Sequence, residues 1–324
     1  MKLVRLQNKF SSYLYYISRF RSSSVAYHFA HYKFPLNLSS KIRKVGNYLE
    51  FVETGNKLHI GMVPKFSYEY EKMVLCFSSP HIKIVSSNAN EANVDIDGII
   101  LKVKTVSNVV TLFELFVDKI YDINIGSANF VVMDIGMNVG YASLLFASCP
   151  RVKKVYSYEP FKHTFSEAMQ NVEANPDWKA KIIAKNAGIS DYDGEIEVPE
   201  MESGDGGAST NSDILATNNT AHLSKTKVQI LAIGNEMVKV LEENPGTPLL
   251  MKIDCEGEEY PILRFLNKSK MILKADTLII EWHFKGPEEI LSILQENGFK
   301  SISLRHSHGR SGMIYAFGQA NITY

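Results

Sequence analysis

The stretch Asp134-Ile135-Gly136-Met137-Asn138-Val139-Gly140-Tyr141 constrains this chain more than any other. It follows Phe130-Val131-Val132-Met133, an unbroken apolar run suited to a strand buried on both faces of a parallel sheet. It leads into Tyr141-Ala142-Ser143-Leu144-Leu145-Phe146-Ala147, a short helix-compatible run ending at Cys149-Pro150. A strand, a glycine turn and a helix N-terminus let backbone approach a ligand closely. The pattern predicts an α/β sheet with a nucleotide-type cofactor at the turn.

Glycine spacing bears on which cofactor. A dinucleotide fingerprint needs G-x-G-x-x-G, with its glycines serving the turn, the pyrophosphate and the helix packing. Asn138 and Tyr141 stand where the second and third glycines would be. Asp134, at the strand end, disfavours a pyrophosphate but accepts a hydrogen bond from an ammonium or a hydroxyl. S-adenosylmethionine, with an amino-acid end and a sulfonium, matches that chemistry better than NAD.

Val155-Tyr156-Ser157-Tyr158-Glu159 reads as a second strand, ending in a carboxylate about twenty residues past the turn. A carboxylate there takes the ribose hydroxyls of either cofactor. Pro160 opens a helix whose Phe165, Ala168, Met169 and Val172 recur at core spacing. Phe161, beside Glu159, is placed to cover an adenine ring. A third strand over 181–188 brings Asn186 and Ala187 to the same edge as candidates to bracket the adenine. Asp191-Tyr192-Asp193-Gly194 then reads as a hairpin turn into Glu195-Ile196-Glu197-Val198.

Leu249-Leu250-Met251-Lys252-Ile253-Asp254-Cys255-Glu256-Gly257-Glu258-Glu259 repeats the design: an apolar strand ending in carboxylates. Asp254 and Glu256 share one face of an extended segment, where acids bind metal, act as base or orient a hydroxyl. The plainer alternative is a solvated turn into a helix beginning near Tyr260-Pro261. Thr277-Leu278-Ile279-Ile280-Glu281-Trp282-His283 forms the next strand. His283 follows it at the ligand edge, and imidazole titrates near neutrality, so it is a candidate general base. Glu256 and Glu281 compete for that role. His306 and His308 read as surface residues of the last turn. No H-x-x-H or C-x-x-C spacing marks a metal centre, which leaves a divalent ion on Asp254 and Glu256 open but not indicated. A helix over 288–297, closed by Gly298, and two strands around Ser301-Ile302-Ser303-Leu304 and Met313-Ile314-Tyr315-Ala316-Phe317 finish the sheet with an antiparallel edge.

Charge excludes some partners. Lys+Arg 35 against Asp+Glu 35 gives no general attraction to nucleic acid. Cys76, Cys149 and Cys255 show no paired spacing, which points to a reducing, cytoplasmic setting. No apolar stretch is long enough for a membrane span, and no secretory signal is evident. The balance hides an asymmetry, because no acid precedes Glu50. Within residues 1–44, Leu3, Leu6, Phe10, Tyr13, Leu14 and Ile17 form one apolar helical face, flanked by Lys2, Arg5, Lys9, Arg19 and Arg21. Packing on the catalytic domain or on a second subunit is the favoured reading of this segment. A peripheral contact with an anionic membrane is the second, and an organelle-targeting peptide the third. Residues 45–109 read as a small β-rich accessory region, and a helix over 110–121 begins the 110–324 catalytic domain. The loop over 200–222, rich in Gly, Ser, Asn and Thr, is a candidate lid.

In order and with suitable spacing, five blocks resemble those of FkbM-type methyltransferases. They are Asp134-x-Gly136-x-Asn138-x-Gly140-Tyr141, Glu159-Pro160, Asn186-Ala187-Gly188-Ile189-Ser190-Asp191, Gly206-Gly207-Ala208-Ser209 and Lys252-Ile253-Asp254-x-Glu256-Gly257-x-Glu259. The resemblance spans residues 99–317. It implies a class I methyltransferase Rossmann-like sheet, strand order 3-2-1-4-5-7-6, behind an N-terminal helical and β-rich accessory region. It also implies S-adenosylmethionine as cofactor, held at Asp134, Gly136, Met137, Asn138, Gly140, Tyr141, Glu159, Pro160, Phe161, Asn186, Ala187 and Asp254. Methyl transfer would go to an oxygen of a glycan or a hydroxylated small molecule. One departure is Ala232-Ile233-Gly234-Asn235, where the family tends to carry a Leu-Asp pair whose acid ties a helix down. A binding or assembly protein that keeps the fold without turnover is the reading from a different class, and an NAD-linked enzyme is the weaker third.

Overall fold

The computed structural model describes residues 2–123, 128–199, 210, 225–306 and 309–318. The chain divides into two compact units, Met1–Ile120 and Tyr121–Tyr324. The candidate lid over 200–222, with its Gly206-Gly207-Ala208-Ser209 block, lies outside the described residues apart from residue 210. His308 lies outside them as well.

The first unit opens with helices Lys2–Phe20 and Ser23–His31. Two antiparallel three-stranded sheets follow: β1 (Ile42–Val45), β2 (Tyr48–Phe51) and β3 (Lys57–His59), then β4 (Ile82–Ser87), β5 (Ala92–Ile96) and β6 (Ile99–Val103). The first helix buries a face shifted from the expected one, on which Tyr13 and Ile17 are half-buried. Leu14 is 49% exposed, whereas Tyr16 and Phe20 are buried in an aromatic cluster with Phe29, Phe34 and Tyr70. Rings bury more area than a leucine and gain from edge-to-face contact, so they take the inner face. The side chains of residues 1–8 and 10 lie outside the description. The helix expected over 110–121 runs instead over Val106–Phe116, because Thr105 and Asn108 form a reciprocal capping box that starts it earlier. Among the described residues no helix is long and apolar enough to cross a membrane.

The second unit is built on a seven-stranded sheet. Its strands are β7 (Phe130–Ile135), β8 (Val152–Tyr158), β9 (Ile182–Lys185), β13 (Leu249–Ile253), β14 (Thr277–His283), β15 (Lys300–Arg305) and β16 (Ser311–Phe317), while β10 (Gly188–Ser190), β11 (Gly194–Pro199) and β12 (Lys225–Ala232) lie apart in a small sheet. The order is β9-β8-β7-β13-β14-β16-β15, and β16 runs antiparallel to both its neighbours. Ranked by sequence this is the 3-2-1-4-5-7-6 order. Both faces of β7 and β13 are buried, in keeping with their unbroken apolar runs. Parallel register aligns Lys252 with Asp134 and Asp134 with Ser157, a polar row across the three central strands. The C-terminal ends of β7, β8, β13 and β14 share the edge where open α/β sheets bind ligands.

The expected hairpin after the third strand is corrected. The third strand stops at Lys185, and β10 (Gly188–Ser190) leaves for the small sheet of order β10-β12-β11, with β11 (Gly194–Pro199) and β12 (Lys225–Ala232). β10 pairs parallel with β12, and β11 pairs antiparallel with it, so β12 separates the two strands that a hairpin would join. Val228 and Ile230 drive the insertion by packing on Val198 and Phe161.

The missing Leu-Asp acid is replaced from elsewhere in the chain. Asp193 accepts hydrogen bonds from the Ala232 amide (2.8 Å) and the Asn235 side chain (2.6 Å), at the N-terminus of helix Ile233–Glu243. An acid there satisfies orphan amides and favours the helix dipole.

Candidate active site

The turn after β7 is held by backbone. The Gly136 and Met137 amides donate to the Tyr158 carbonyl at 3.1 and 2.8 Å, and the Gly140 amide donates to the Met137 carbonyl at 2.9 Å. Gly136 and Gly140 have φ of +86° and +84°. A Cβ on Gly136 would stand 1.7 Å from the Asp254 carbonyl oxygen, so β7 and β13 close together only over a glycine. Left-handed non-glycine residues, Asn138, Glu256 and Phe284, follow β7, β13 and β14 at the same edge. Strain of this kind clusters at functional sites.

A solvent-connected cavity opens beside the turn. Gly136, Asn138, Glu159, Phe161, Asp254 and Glu256 line it, as does Pro160. Glu159 is 5% exposed, and its carboxylate accepts from the Asn138 amide at 2.9 Å and the Phe161 amide at 3.1 Å. Burial pushes its pKa up to about 7, against the pull of those two amides and of Lys252. A desolvated carboxylate on a cavity wall suits hydroxyl donors, which is what a ribose offers.

The other sequence candidates fall behind the wall or support it. Met137 is buried on Ala168 and Val172, and Tyr141 is buried with its phenol pKa pushed well up by desolvation. Gly140 starts helix Tyr141–Ser148. Asn186 is exposed and donates to the Glu159 and Pro160 carbonyls at 2.8 and 3.0 Å, so it braces the backbone that carries Glu159. Ala187 is buried, and the cavity wall is formed one step further on, by Gly188 and Ile189. Gly188 was readable as a point of close backbone approach; Ile189 carries no such signal.

Asp134 is fully buried and does not line the cavity. Its carboxylate pairs with the Lys252 ammonium at 3.1 Å and accepts from the Ser143 hydroxyl at 2.5 Å. The ammonium expected of a ligand is therefore met by the chain's own lysine. Lys252, 2% exposed, also pairs with Asp254 at 3.4 Å and donates to the Gly136 carbonyl. Burial would lower its pKa, but Asp134 and Asp254 outweigh that and hold it above the ordinary lysine range. Sequence reasoning passed over Lys252, although it precedes Asp254 by two and so shares its face of the strand.

A second cluster forms where β13 and β14 end. His283 is 8% exposed, and its Nδ1 donates to Glu259 Oε1 at 2.8 Å. Glu259 is fully buried and accepts from the Cys255 and Gly257 amides at 3.1 and 2.7 Å. Around Nε2, Glu281 stands at 3.6 Å and Glu256 at 3.7 Å. Desolvation would lower the imidazole pKa, but the bond to Glu259 and the charges of Glu259, Glu256 and Asp254 raise it to about 10. The ring expected to titrate near neutrality thus carries a proton there, and the basic atoms of the cluster are carboxylate oxygens. Glu281 is also 3.6 Å from His306, so that histidine belongs to the rim of this cluster.

A comparison with curated proteins finds no match. Among solved structures, the chain is similar to a methyltransferase FkbM from Methylobacillus flagellatus KT. The identity is 15% over 61% of this chain and 45% of that one, with TM-score 0.40, so this chain spans under half of that protein's length. It is also similar to a putative tRNA methyltransferase from Streptococcus pneumoniae in complex with S-adenosyl-L-methionine (18% identity, 61% and 70% of the chains, TM-score 0.33). A third is M. capricolum TrmK in complex with S-adenosyl-homocysteine (13%, 62% and 67%, TM-score 0.34). These are distant likenesses. The model of the Methyltransferase FkbM domain matches residues 134–301, over half of the 324 residues and all the residues that line the cavity. The chain belongs to the FkbM methyltransferase family, whose methyl donor is S-adenosyl-L-methionine.

Proposed function

We propose that this protein methylates an oxygen of a hydroxylated small molecule or glycan. The observation that carries this reading is a pair of carboxylates around the His283 imidazole, Glu256, which lines the cavity, and Glu281 behind it. A hydroxyl must lose its proton as it is methylated, and a carboxylate in a partly desolvated cluster is a suitable acceptor. When bound, S-adenosylmethionine supplies the methyl group from its sulfonium. Glu159 would take the ribose hydroxyls, Phe161 would cover the adenine, and the Gly136–Asn138 backbone would follow the cofactor into the turn. Asp134 and Lys252 hold that turn's geometry from behind, which serves positioning.

Balanced charge suits an uncharged or small acceptor better than nucleic acid. The acid-free residues 1–44 suit packing on the catalytic domain or on a second copy of the chain, with an anionic membrane surface as the runner-up. A reducing, cytoplasmic setting fits the three free cysteines.

The test is methyl transfer from labelled S-adenosylmethionine to a panel of sugars, polyols and phenols by the full chain. Label in an ether oxygen, lost in Glu256→Gln or Glu281→Gln while cofactor binding persists, is the expected result. Label that appears only on nitrogen or carbon acceptors sinks the oxygen reading.

A further inference from the structure

β13 and β14 deliver Asp254, Glu281 and His283 to one point, where their ligand atoms lie within 4.8 Å of one another. The His283 ring is buried and locked. Its Nδ1 donates to Glu259, which leaves Nε2 as the nitrogen aimed into the group. At 3.6 Å from Glu281 and 3.7 Å from Glu256, Nε2 is beyond hydrogen-bond reach of either. Two ligands on one ion at about 2.1 Å stand roughly 3.0–3.5 Å apart, from octahedral to tetrahedral angles. The 3.6 Å between Nε2 and Glu281 is therefore close to an edge of a coordination shell, and the Asp254 carboxylate stands within 4.8 Å of both.

The support behind the imidazole has the same character. A metal-bound histidine characteristically donates its other ring N–H to a carboxylate that fixes its tautomer. Glu259 does this, and it is itself pinned by two backbone amides.

We propose that Asp254, Glu281 and His283 hold a divalent cation beside the cofactor cavity. Two carboxylates with one imidazole suit Mn²⁺ or Zn²⁺ better than Ca²⁺. Because Asp254 also lines the cavity, an acceptor oxygen placed there would reach the ion, which would make its proton easier to remove. That role rests on the oxygen-methylation reading above; binding of the ion does not.

The test is a Mn²⁺ titration of the full chain, with neither cofactor nor acceptor, followed by electron paramagnetic resonance of the free ion. Saturable binding at low micromolar Mn²⁺ is expected, weakened at least about tenfold by Asp254→Asn, Glu281→Gln or His283→Ala. Circular dichroism melts separate a lost site from a lost fold. Should His283→Ala unfold, Glu281→Gln, partly exposed at the strand end, carries the comparison. No saturable Mn²⁺ or Zn²⁺ binding below millimolar, or binding that survives every folded variant, overturns the site and leaves the imidazolium as its cation. Mn²⁺ binding without methylation of any hydroxyl upholds the site and defeats the oxygen reading. Hydroxyl methylation unaffected by EDTA, with no ion bound, does the reverse.

Discussion

His283 donates a 2.8 Å hydrogen bond from Nδ1 to Glu259, a carboxylate with no solvent exposure. The bond joins the end of β14 to the helix Glu259–Lys268 that follows β13, and it decides which imidazole nitrogen faces the carboxylates. Glu259 is a positioning residue. In Glu259→Gln, methyl transfer should fall roughly 10- to 100-fold, while S-adenosylhomocysteine affinity changes little. An NMR titration should show the His283 imidazole moving from about 10 toward its ordinary value, because a charge that raises it is gone. An unmoved imidazole would show that Glu259 is only a packing residue.

Gly136→Ala tests the closure of β7 on β13. The new methyl would sit 1.7 Å from the Asp254 carbonyl oxygen at a φ of +86°. The left-handed backbone alone costs about 1–2 kcal/mol, and the clash adds to it. Urea unfolding should show a loss of at least about 2 kcal/mol, with cofactor binding abolished. Wild-type stability would mean the two strands part more easily than their spacing suggests.

Glu159 sets a pH dependence. Its folded pKa of about 7 lies above the ordinary 4.5. Its contribution to stability is thus complete below about 4.5 and is lost as pH rises through 7. Ligand hydroxyls favour the ionised form, so affinity runs the other way. Calorimetry with S-adenosylhomocysteine between pH 5.5 and 8.5 should show binding strengthening up to about tenfold per unit below 7, then levelling. Glu159→Gln should bind roughly tenfold or more weakly, with a flat profile. A flat profile in the unaltered protein would remove Glu159 from the ribose.

Asp193→Ala removes the borrowed helix cap. The Ala232 amide and the Asn235 side chain lose their acceptor. The melting temperature should drop by a few degrees, with cofactor affinity unchanged. Asp193→Asn should recover most of the loss, since an asparagine oxygen still accepts. Equal melting for Ala and unaltered chains would show that the helix start is held by packing alone, with Gly234 lying against Phe265.

The sheet was readable because each of its main strands announces itself locally. Phe130–Ile135, Leu249–Ile253 and Thr277–His283 are apolar runs ending in polar groups at the edge where ligands bind. The cavity residues Gly136, Asn138, Glu159, Phe161 and Asp254 were named from that edge. Harder to read were features that depend on partners far along the chain. β12 inserts between β10 and β11, and Asp193 serves a helix that begins forty residues later. Periodicity is silent about both, because the partner segment is not within the window that the period samples.

By itself the sequence determined the strand–turn–helix blocks, the ligand edge and the family, since these follow from apolar periodicity, glycine geometry and motif order. Only the tertiary structure decided what the charges do. Parallel register sets Lys252 beside Asp134, so the acid read as a ligand contact is held by an ammonium of the same chain. The meeting of β13 and β14 surrounds His283 with Glu256, Glu259 and Glu281, and the charges of Glu259 and Glu256 raise its pKa. Charge acts through distance and burial, and neither is set until strands far apart in sequence are paired.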